Sequence, residues 1–461
     1  MKNNRFNKTD KTSRWMKLSA MAFLLLSLFW STAFAAGATA PAPAQAQAPS
    51  QSPAVVDITL DQAVSMALVN NSIGKIAVFD YEAAKGSLTS ARSFRWPTVD
   101  GAHTDARTMP GEQSNLASRR GPFDTFDRYT NSVTASWLLW TGNSVESQIS
   151  QAKLALDSRR WGVAQSRQQL KFNATTAYFN FMASRDDVKL NQEAVERLER
   201  YLVDVRLQFD VGVVAKVDVL RSEVALAQAR QTLIEAQNGY NLNMANLNNV
   251  VGLPLTTELR IKADMTYDKF EQDLATCVDA ALRQRPEIWQ ATDSAKAAKE
   301  GVTIARSGYL PTVSAQYQAG WFDNSFAGTN NYNWTVFLST NFTFLDSGLT
   351  AGKVKVAVEG FNKAKEQLTQ TLDNVRLDVR SAYLSLRSFE QSIQTSSAAV
   401  GLAEEDYKIK VIRYQAGVGT NLDVLDAQLA LTTAKNNYLQ SMYNYNTFRA
   451  QLDKSMGVPV K

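Results

Sequence analysis

The sequence predicts a mainly α-helical chain with a short β segment, built from a helix–strand–strand–helix unit that occurs twice. Two long proline-free stretches favour helix, and four short stretches alternate apolar with polar residues. In addition, the second half of the chain repeats the order of the first half. The 45% hydrophobic and 20% charged residues are the balance of a folded protein rather than a disordered one.

The first 35 residues predict a secretory signal peptide. They carry six basic residues and one acidic residue, then an apolar run, then Ala33-Phe34-Ala35, whose small residues favour cleavage after Ala35. An uncleaved anchor helix over Leu18–Ala35 is the alternative, since that run is long enough to span a bilayer. Of the chain's 49 basic and 44 acidic residues, the other 43 of each lie beyond residue 35. The remaining chain is therefore neutral and lacks the basic excess of a nucleic-acid-binding protein, so we predict no nucleic-acid partner.

The region after this segment divides into a linker and two repeats. Residues 36–56 are uncharged and rich in Ala, Pro and Gln, which predicts a flexible linker. The first structural repeat covers residues 57–256 and the second covers residues 257–461. Duplication of so large a unit predicts pseudo-symmetry rather than a short-period solenoid.

The duplication is read from motifs that recur at a constant offset of 205 positions. Phe209-Asp210-Val211-Gly212 resembles Tyr414-Gln415-Ala416-Gly417, and Gly252-Leu253-Pro254 resembles Gly457-Val458-Pro459. Gly212 and Gly417 interrupt the two long helical stretches at equivalent points. A glycine placed just after a helix is typical of a helix end before a tight reversal.

Each repeat contains two predicted strands, near 97–107 and 129–141 in the first and near 311–322 and 332–345 in the second. About ten residues alternate between apolar and polar, the pattern of a membrane barrel strand. The apolar positions in the second repeat are Val313, Ala315, Tyr317, Ala319, Trp321, Trp334, Val336, Leu338, Phe342 and Phe344. Five of the nine tryptophans lie in or beside the strands, as an interfacial girdle requires: Trp96, Trp137, Trp140, Trp321 and Trp334. A soluble antiparallel sheet with one buried face is the alternative.

The helical stretches are long enough to form a tunnel wall. Ser144 to about Gln208 holds no proline, and a helix of that length reaches about 100 Å. Apolar residues of the next segment recur at steps of three and four, as on one face of a coiled coil. They are Leu226, Ala229, Leu233, Ala236, Tyr240, Met244, Leu247 and Val251.

Four strands per chain raise a problem of closure. About eight strands are the practical minimum for a barrel, and a membrane does not tolerate open sheet edges. If these strands enter a membrane, several chains must therefore pool them. Two chains would supply eight strands and three would supply twelve.

With these motifs the sequence resembles the TolC family of outer-membrane efflux and type I secretion channels. The resemblance covers residues 57–461 and rests on the duplicated order, on Gly212 followed by Asp218-Val219, and on Gly417 followed by Asp423-Val424-Leu425-Asp426-Ala427. It implies a homotrimer whose helices form a trimeric α-barrel tunnel in the periplasm, capped by a shared 12-stranded transmembrane β-barrel in outer-membrane lipid. It also implies export of small molecules or proteins. The implied partners are a periplasmic adaptor (membrane fusion) protein and an inner-membrane pump of the RND, ABC or MFS type.

The resemblance implies a cation ring at the periplasmic entrance. Asp423 and Asp426 match aspartates that line this entrance in the family, and their spacing places them on one helix face. Three chains would bring six carboxylates around one axis, which favours cations. The alternative is that both are acids at a helix start, where they complement the helix dipole.

The resemblance also implies a lock that keeps the entrance shut, at Asp218 and Tyr414. Family members with this lock carry an arginine where this chain has Gly419 and a threonine where it has Val217. The usual ion pair therefore cannot form from these positions. Either Lys216 or Arg413 takes its place, or the resting state is looser. The positions that contact the adaptor in the family are Val211, Gly212, Val213, Ala416, Gly417 and Val418.

Catalytic, metal and cofactor sites are not predicted. His103 is the only histidine and Cys277 the only cysteine, so the chain can form neither a His/Cys metal cluster nor a Cys–His pair. Gly348–Lys353 resembles a phosphate loop only loosely, because its glycine spacing is one short and Val354 replaces Ser or Thr. We therefore predict that the protein is not an enzyme. A periplasmic coiled-coil adaptor or a structural envelope protein is the alternative function, which accounts for the helices but not for the tryptophan-rich strands.

Overall fold

The structure is a computed structural model that describes residues 56–109, 125–326 and 329–460. The described residues belong to one compact unit, Pro53–Lys461. The predicted signal peptide, 1–35, lies outside the described residues, and so does the predicted linker, 36–56, except for its last residue. Val56 belongs to a strand rather than to the linker, because its N–H donates a hydrogen bond to the carbonyl of Glu258 over 2.9 Å.

The two repeats have the same order of elements. The first contains β1 (Val56–Asp57), α1 (Leu60–Asn70), α2 (Ser72–Ser93), β2 (Thr98–Thr108), β3 (Phe126–Trp140), α3 (Ser144–Asp210) and α4 (Lys216–Val251). The second contains β4 (Leu259–Arg260), α5 (Leu274–Gln284), α6 (Pro286–Arg306), β5 (Thr312–Asp323), β6 (Asn333–Asn341), α7 (Leu349–Gln415) and α8 (Asn421–Ser455). The predicted mainly α fold with a duplicated helix–strand–strand–helix unit is confirmed.

The longest helices, α3 and α7, have 67 residues each, which corresponds to about 100 Å. The first part of α3 lies beside α2, where Arg159 and Asp80 form an ion pair at 3.9 Å. Its second part lies beside α4, where Arg206 contacts Glu223 at 2.6 Å. We call α3 with α4 the first hairpin and α7 with α8 the second hairpin. None of the helices in the described ranges combines the length and apolar character needed to cross a bilayer.

The hydrophobic core lies where the helices of each repeat meet. One buried cluster joins α1, α3 and α4 around Phe181, Leu247 and Val251. A second cluster joins α5, α7 and α8 around Leu386 and Leu452. Two smaller clusters lie farther along the hairpins, toward the turns that join α3 to α4 and α7 to α8. Each repeat thus centres on one of the two large clusters, and the cluster of Tyr201, Val205, Tyr414 and Val424 is shared by the two hairpins.

The four longer strands form one antiparallel sheet in the order β2-β3-β5-β6. The register places Tyr317 opposite both Ala135 and Val336, so apolar positions of neighbouring strands share one face. Residues on this face include Val99, Val133, Ala135, Trp137, Val313, Ala315, Tyr317, Ala319, Trp321, Trp334, Val336 and Leu338. The opposite face carries Thr134, Ser136, Ser314, Gln316, Gln318, Thr335 and Ser339, with Leu138, Phe322 and Phe337 as apolar exceptions.

The strand β6 ends at Asn341, four residues before the limit that the sequence pattern gave. Asn341 is paired with Thr312, the first residue of β5. Thr312 is preceded by Pro311, which has no backbone N–H with which to continue the hydrogen bonds between β5 and β6. Phe342 and Phe344 therefore do not belong to the strand, although they alternate with polar residues. Instead their rings contact each other edge to face, with centroids 4.8 Å apart.

Candidate functional site

The two hairpins end in equivalent turns, and these turns carry most of the predicted site residues. In the first, Gly212 has a φ of +79°, and the N–H of Val213 donates to the carbonyl of Gln208 over 2.9 Å. In the second, Gly417 has a φ of +75°, and the N–H of Val418 donates to the carbonyl of Arg413 over 3.0 Å. Positive φ values favour glycine, and this pattern of bonds closes a helix before the chain reverses.

The surface of the turns is apolar and open. Val211, Val213 and Val418 are 75%, 70% and 66% exposed. A Cβ added at Gly212 or Gly417 would meet nothing within 4 Å. The six residues predicted to contact an adaptor thus lie at the two turns, and the three valines among them are available to a partner.

Asp423 lies in the first turn of α8, and both of its carboxylate oxygens are engaged within the chain. Its Oδ1 accepts a hydrogen bond from Nζ of Lys410 at 2.8 Å. Its Oδ2 accepts from the N–H and the hydroxyl of Thr420, which completes a capping box. Lys410, and then Thr420, hold the pKa of the Asp423 carboxyl well below its usual range. Asp423 therefore has the geometry of a helix-start residue with its own counter-ion.

Asp426 differs from Asp423 although the two are three residues apart. It is exposed, and within the described ranges its carboxylate has neither an ion-pair nor a hydrogen-bond partner. The structure thus separates the two predicted ring residues. Asp423 contributes a neutral pair with Lys410, and Asp426 contributes an uncompensated negative charge.

Tyr414 is buried at the seam between the two hairpins, with 6% of its surface exposed. It packs in a cluster with Tyr201, Val205 and Val424, and its ring centroid lies 5.4 Å from that of Tyr201. Burial raises the pKa of the Tyr414 hydroxyl. In the described part of the chain that hydroxyl has no hydrogen-bond partner. Tyr414 therefore acts here as a packing residue.

The Asp218 carboxylate, like the Tyr414 hydroxyl, has no hydrogen-bond partner among the described residues, so the structure does not join these two predicted lock residues by a hydrogen bond. Lys216 and Arg413 form no ion pair in the same ranges, and Lys410 is the lysine that pairs at this end. At Gly419 an added Cβ would lie 3.1 Å from the nitrogen of Tyr414 and 3.2 Å from the carbonyl carbon of Arg413. Any side chain at this position would thus press on the end of α7.

Asn421 is the site residue that the sequence did not indicate. It is 3% exposed, and its Nδ2 donates to the carbonyl of Asp218 over 2.8 Å. Its Oδ1 accepts from the hydroxyl of Tyr201 at 2.8 Å and lies 3.2 Å from that of Ser222. One amide of the second hairpin therefore contacts both helices of the first hairpin. The only sequence signal is a polar residue on the same face as buried Val424.

The described residues contain no group of three or more His, Cys, Asp or Glu side chains that could hold a metal ion. His103 lies on β2, and its Nε2 is 2.8 Å from the carboxylate of Asp105. Cys277 is fully buried in the core of the second repeat, and burial raises the pKa of its thiol. His103 thus belongs to the surface of a strand and Cys277 to the hydrophobic core.

Known proteins share the sequence pattern and the fold of this chain. The sequence profile of the family described as outer membrane efflux protein matches residues 63–253 and 277–458. The outer membrane protein TolC of Escherichia coli (strain K12) is 25% identical over 420 residues, which are 86% of this chain and 82% of TolC. The toluene efflux pump outer membrane protein TtgC of Pseudomonas putida is 23% identical over 410 residues, 87% of this chain and 83% of TtgC.

The fold is also that of solved outer-membrane channels. The crystal structure of the CmeC outer membrane channel of Campylobacter jejuni superposes with a TM-score of 0.78 at 18% sequence identity. The match covers 86% of this chain and 85% of the CmeC chain. At that identity the likeness shows the fold, and it extends over both repeats.

Proposed function

The chain belongs to the outer membrane efflux protein family, and we propose that three copies of it assemble into one export channel. It is an outer-membrane protein with a large periplasmic helical portion. Each copy would contribute four strands to a twelve-stranded barrel and two helical hairpins to the tunnel below it. The channel would carry small molecules or proteins from the periplasm, or from an inner-membrane transporter, to the cell exterior.

The observation that carries the proposal is the four-stranded sheet with its exposed apolar face. Successive strands are antiparallel, so the two edge strands, β2 and β6, run in opposite directions. Joining β6 of one copy to β2 of the next would continue the antiparallel pattern. It would also remove edges whose unpaired N–H and C=O groups each cost several kcal/mol in hydrocarbon. Trp334, Val336 and Leu338 are 61%, 61% and 72% exposed and would then face lipid.

The helical hairpins leave complementary apolar surfaces on their outer helices. Within the chain α4 packs on α3, and α7 packs on α8. An apolar stripe on α4 and another on α7 remain between 45% and 75% exposed: Val217, Leu220 and Val224, and Leu402, Ile409 and Ile412. A head-to-tail contact between α4 of one copy and α7 of the next would bury both stripes, and repeated contacts of this kind close into a ring.

The partners follow from the ends of the channel. The apolar turns around Val213 and Val418 would dock a periplasmic adaptor protein, which links the channel to an inner-membrane pump of the RND, ABC or MFS type. The protein would act as a conduit and not as an enzyme. A coiled-coil adaptor or a structural envelope protein would not account for a sheet with an exposed apolar face.

Assembly is tested most simply on the protein extracted from membranes. We expect that detergent, but not salt, extracts it, and that its mass corresponds to three chains. Circular dichroism should show predominant helix together with sheet. A stable monomer in detergent, or extraction by salt alone, would contradict the proposal.

A further inference from the structure

The hydrogen bonds of Asn421 connect the two hairpins at their turns, and this inference rests on the proposed channel function. We propose that Asn421 is the positioning residue that keeps the periplasmic entrance closed. Its buried amide clamps the second hairpin to the first, between which the described residues form no ion pair. Gly419, two residues earlier, has no side chain to take part, and Lys410 is already bound to Asp423.

The clamp joins three helices through neutral groups. Tyr201 comes from α3, Asp218 and Ser222 come from α4, and Asn421 is the first residue of α8. Ser222 and Tyr201 are 1% and 6% exposed, so water does not compete for these bonds. Separating the hairpins would break the bonds of Asn421 to the Tyr201 hydroxyl and to the Asp218 carbonyl. Truncating Asn421 would leave the buried Tyr201 hydroxyl without this partner in the closed state, which costs more than the bond itself contributes.

A second contact along the same seam supports the clamp. Gln428 lies two helical turns after Asn421, is 4% exposed, and accepts a hydrogen bond from Nε of Arg197 at 3.1 Å. Arg197 lies one turn before Tyr201 on α3. The antiparallel helices α3 and α8 are therefore joined at two successive levels. Asn421 forms the level nearest the turns, where an entrance would open.

The duplication shows that only one of the two hairpins carries the clamp residue. At the offset of 205 positions, the counterparts of Tyr201, Ser222 and Asn421 are Asp406, Ala427 and Lys216. The reverse clamp, from the first hairpin to the second, therefore has none of its side chains. The hydrogen bonds of Asn421 lie across the seam within one chain, so three copies would carry three clamps.

A neutral clamp predicts a behaviour that an ion-pair lock would not show. Salt screens interactions between exposed charges and has little effect on buried hydrogen bonds between neutral groups. We therefore expect Asn421→Ala to lower the ratio of closed to open channels by the same factor at low and at high ionic strength.

The test uses the full chain in planar lipid bilayers, with Asn421→Ala compared with Asn248→Ala. Asn248 is an equally buried amide at the far end of α4, where its Nδ2 donates to the carbonyl of Thr257 over 2.8 Å. Each neutral hydrogen bond changes an equilibrium by roughly threefold to tenfold. We expect Asn421→Ala to lower the closed-to-open ratio at least about tenfold at both ~0.1 M and ~1 M salt, where the screening lengths differ about threefold, and Asn248→Ala to leave it unchanged.

A variant that can be switched reversibly distinguishes loss of the clamp from a folding defect. In the pair Ser222→Cys, Asn421→Cys, a disulfide would replace the contact, and the native Cys277 is buried and does not compete. The oxidised channel should stay closed and open on reduction. If the wild type conducts and Asn421→Ala matches Asn248→Ala, or reduction changes nothing, the clamp is overturned and the channel function stands. If the wild type forms no channel, both proposals fail.

Discussion

Replacing Val336 with arginine should abolish assembly of the channel in the outer membrane. Val336 lies in the middle of the apolar face of β6, opposite Tyr317, which is itself central in β5. An arginine on the lipid face of a barrel costs about 2–4 kcal/mol near the bilayer midplane. A trimer would carry three of them in one barrel. The measurement is the amount of trimer in the outer-membrane fraction, which we expect to fall below a tenth of wild type by the rule of about 1.4 kcal/mol per factor of ten.

Thr335→Arg is the matched control, because its position is adjacent in sequence and on the opposite face of the same strand. We expect Thr335→Arg to assemble normally and to alter conductance, since its side chain would face the channel interior. Equal trimer yields from both variants would mean that the apolar face of this sheet does not contact lipid.

Neutralising Asp426 should remove most of the cation selectivity of the entrance. Its carboxylate is exposed and without an ion-pair partner in the described part of the chain. Three copies would place three such charges around one axis, and a constriction of low dielectric constant strengthens their interaction with an ion. We expect Asp426→Asn to weaken block by a trivalent cation at least about tenfold, since each ~1.4 kcal/mol of lost attraction is a factor of ten.

The control for Asp426 removes a pair of charges instead of a single one. Asp423→Asn combined with Lys410→Gln deletes the ion pair and leaves the net charge of the entrance as it was. We expect selectivity and trivalent block to stay within about twofold of wild type. Unchanged block in Asp426→Asn would show that this aspartate is only a helix-start residue and that the constriction lies elsewhere.

The pH dependence of the Lys410–Asp423 pair follows from the lowered pKa of Asp423. Stabilisation from a carboxylate with a lowered pKa is fully present above its ordinary pKa and is lost as the pH falls through the lowered value. The pair therefore persists at neutral and mildly acidic pH. In that range we expect Asp423 to stay compensated by Lys410.

The long elements were predictable from the sequence because their signals are local. Absence of proline and a glycine at each turn are enough to place α3 within a few residues and to place the end of α7 at its turn. Alternation of apolar and polar residues likewise indicates the strands, because successive side chains of a strand point to opposite faces of the sheet. The end of β6 was misplaced because it depends on Pro311, which lies just before the partner strand and far away in sequence.

The details of the site depend on contacts between helices that are far apart in the sequence, and the sequence pattern does not reveal these contacts. Asp423 and Asp426 are equivalent by spacing, and only the approach of Lys410 from α7 distinguishes them. Asn421 looks like an ordinary residue at a helix start until α3 and α4 are brought beside it. Such residues are found by asking which side chains face one another across the seam, and that requires the fold.

The pooling of strands by three copies is tested most directly by cross-linking the two edges of the sheet. Cysteine is placed at Val99 on β2 and, in separate variants, at Val336, Leu338 or Thr340 on β6, and membranes are oxidised before denaturing electrophoresis. A trimer with one shared barrel predicts that at least one pair gives covalent dimers and trimers and nothing larger, while the single cysteines give none. Absence of cross-links from every pair, or a ladder that continues beyond three chains, would contradict it.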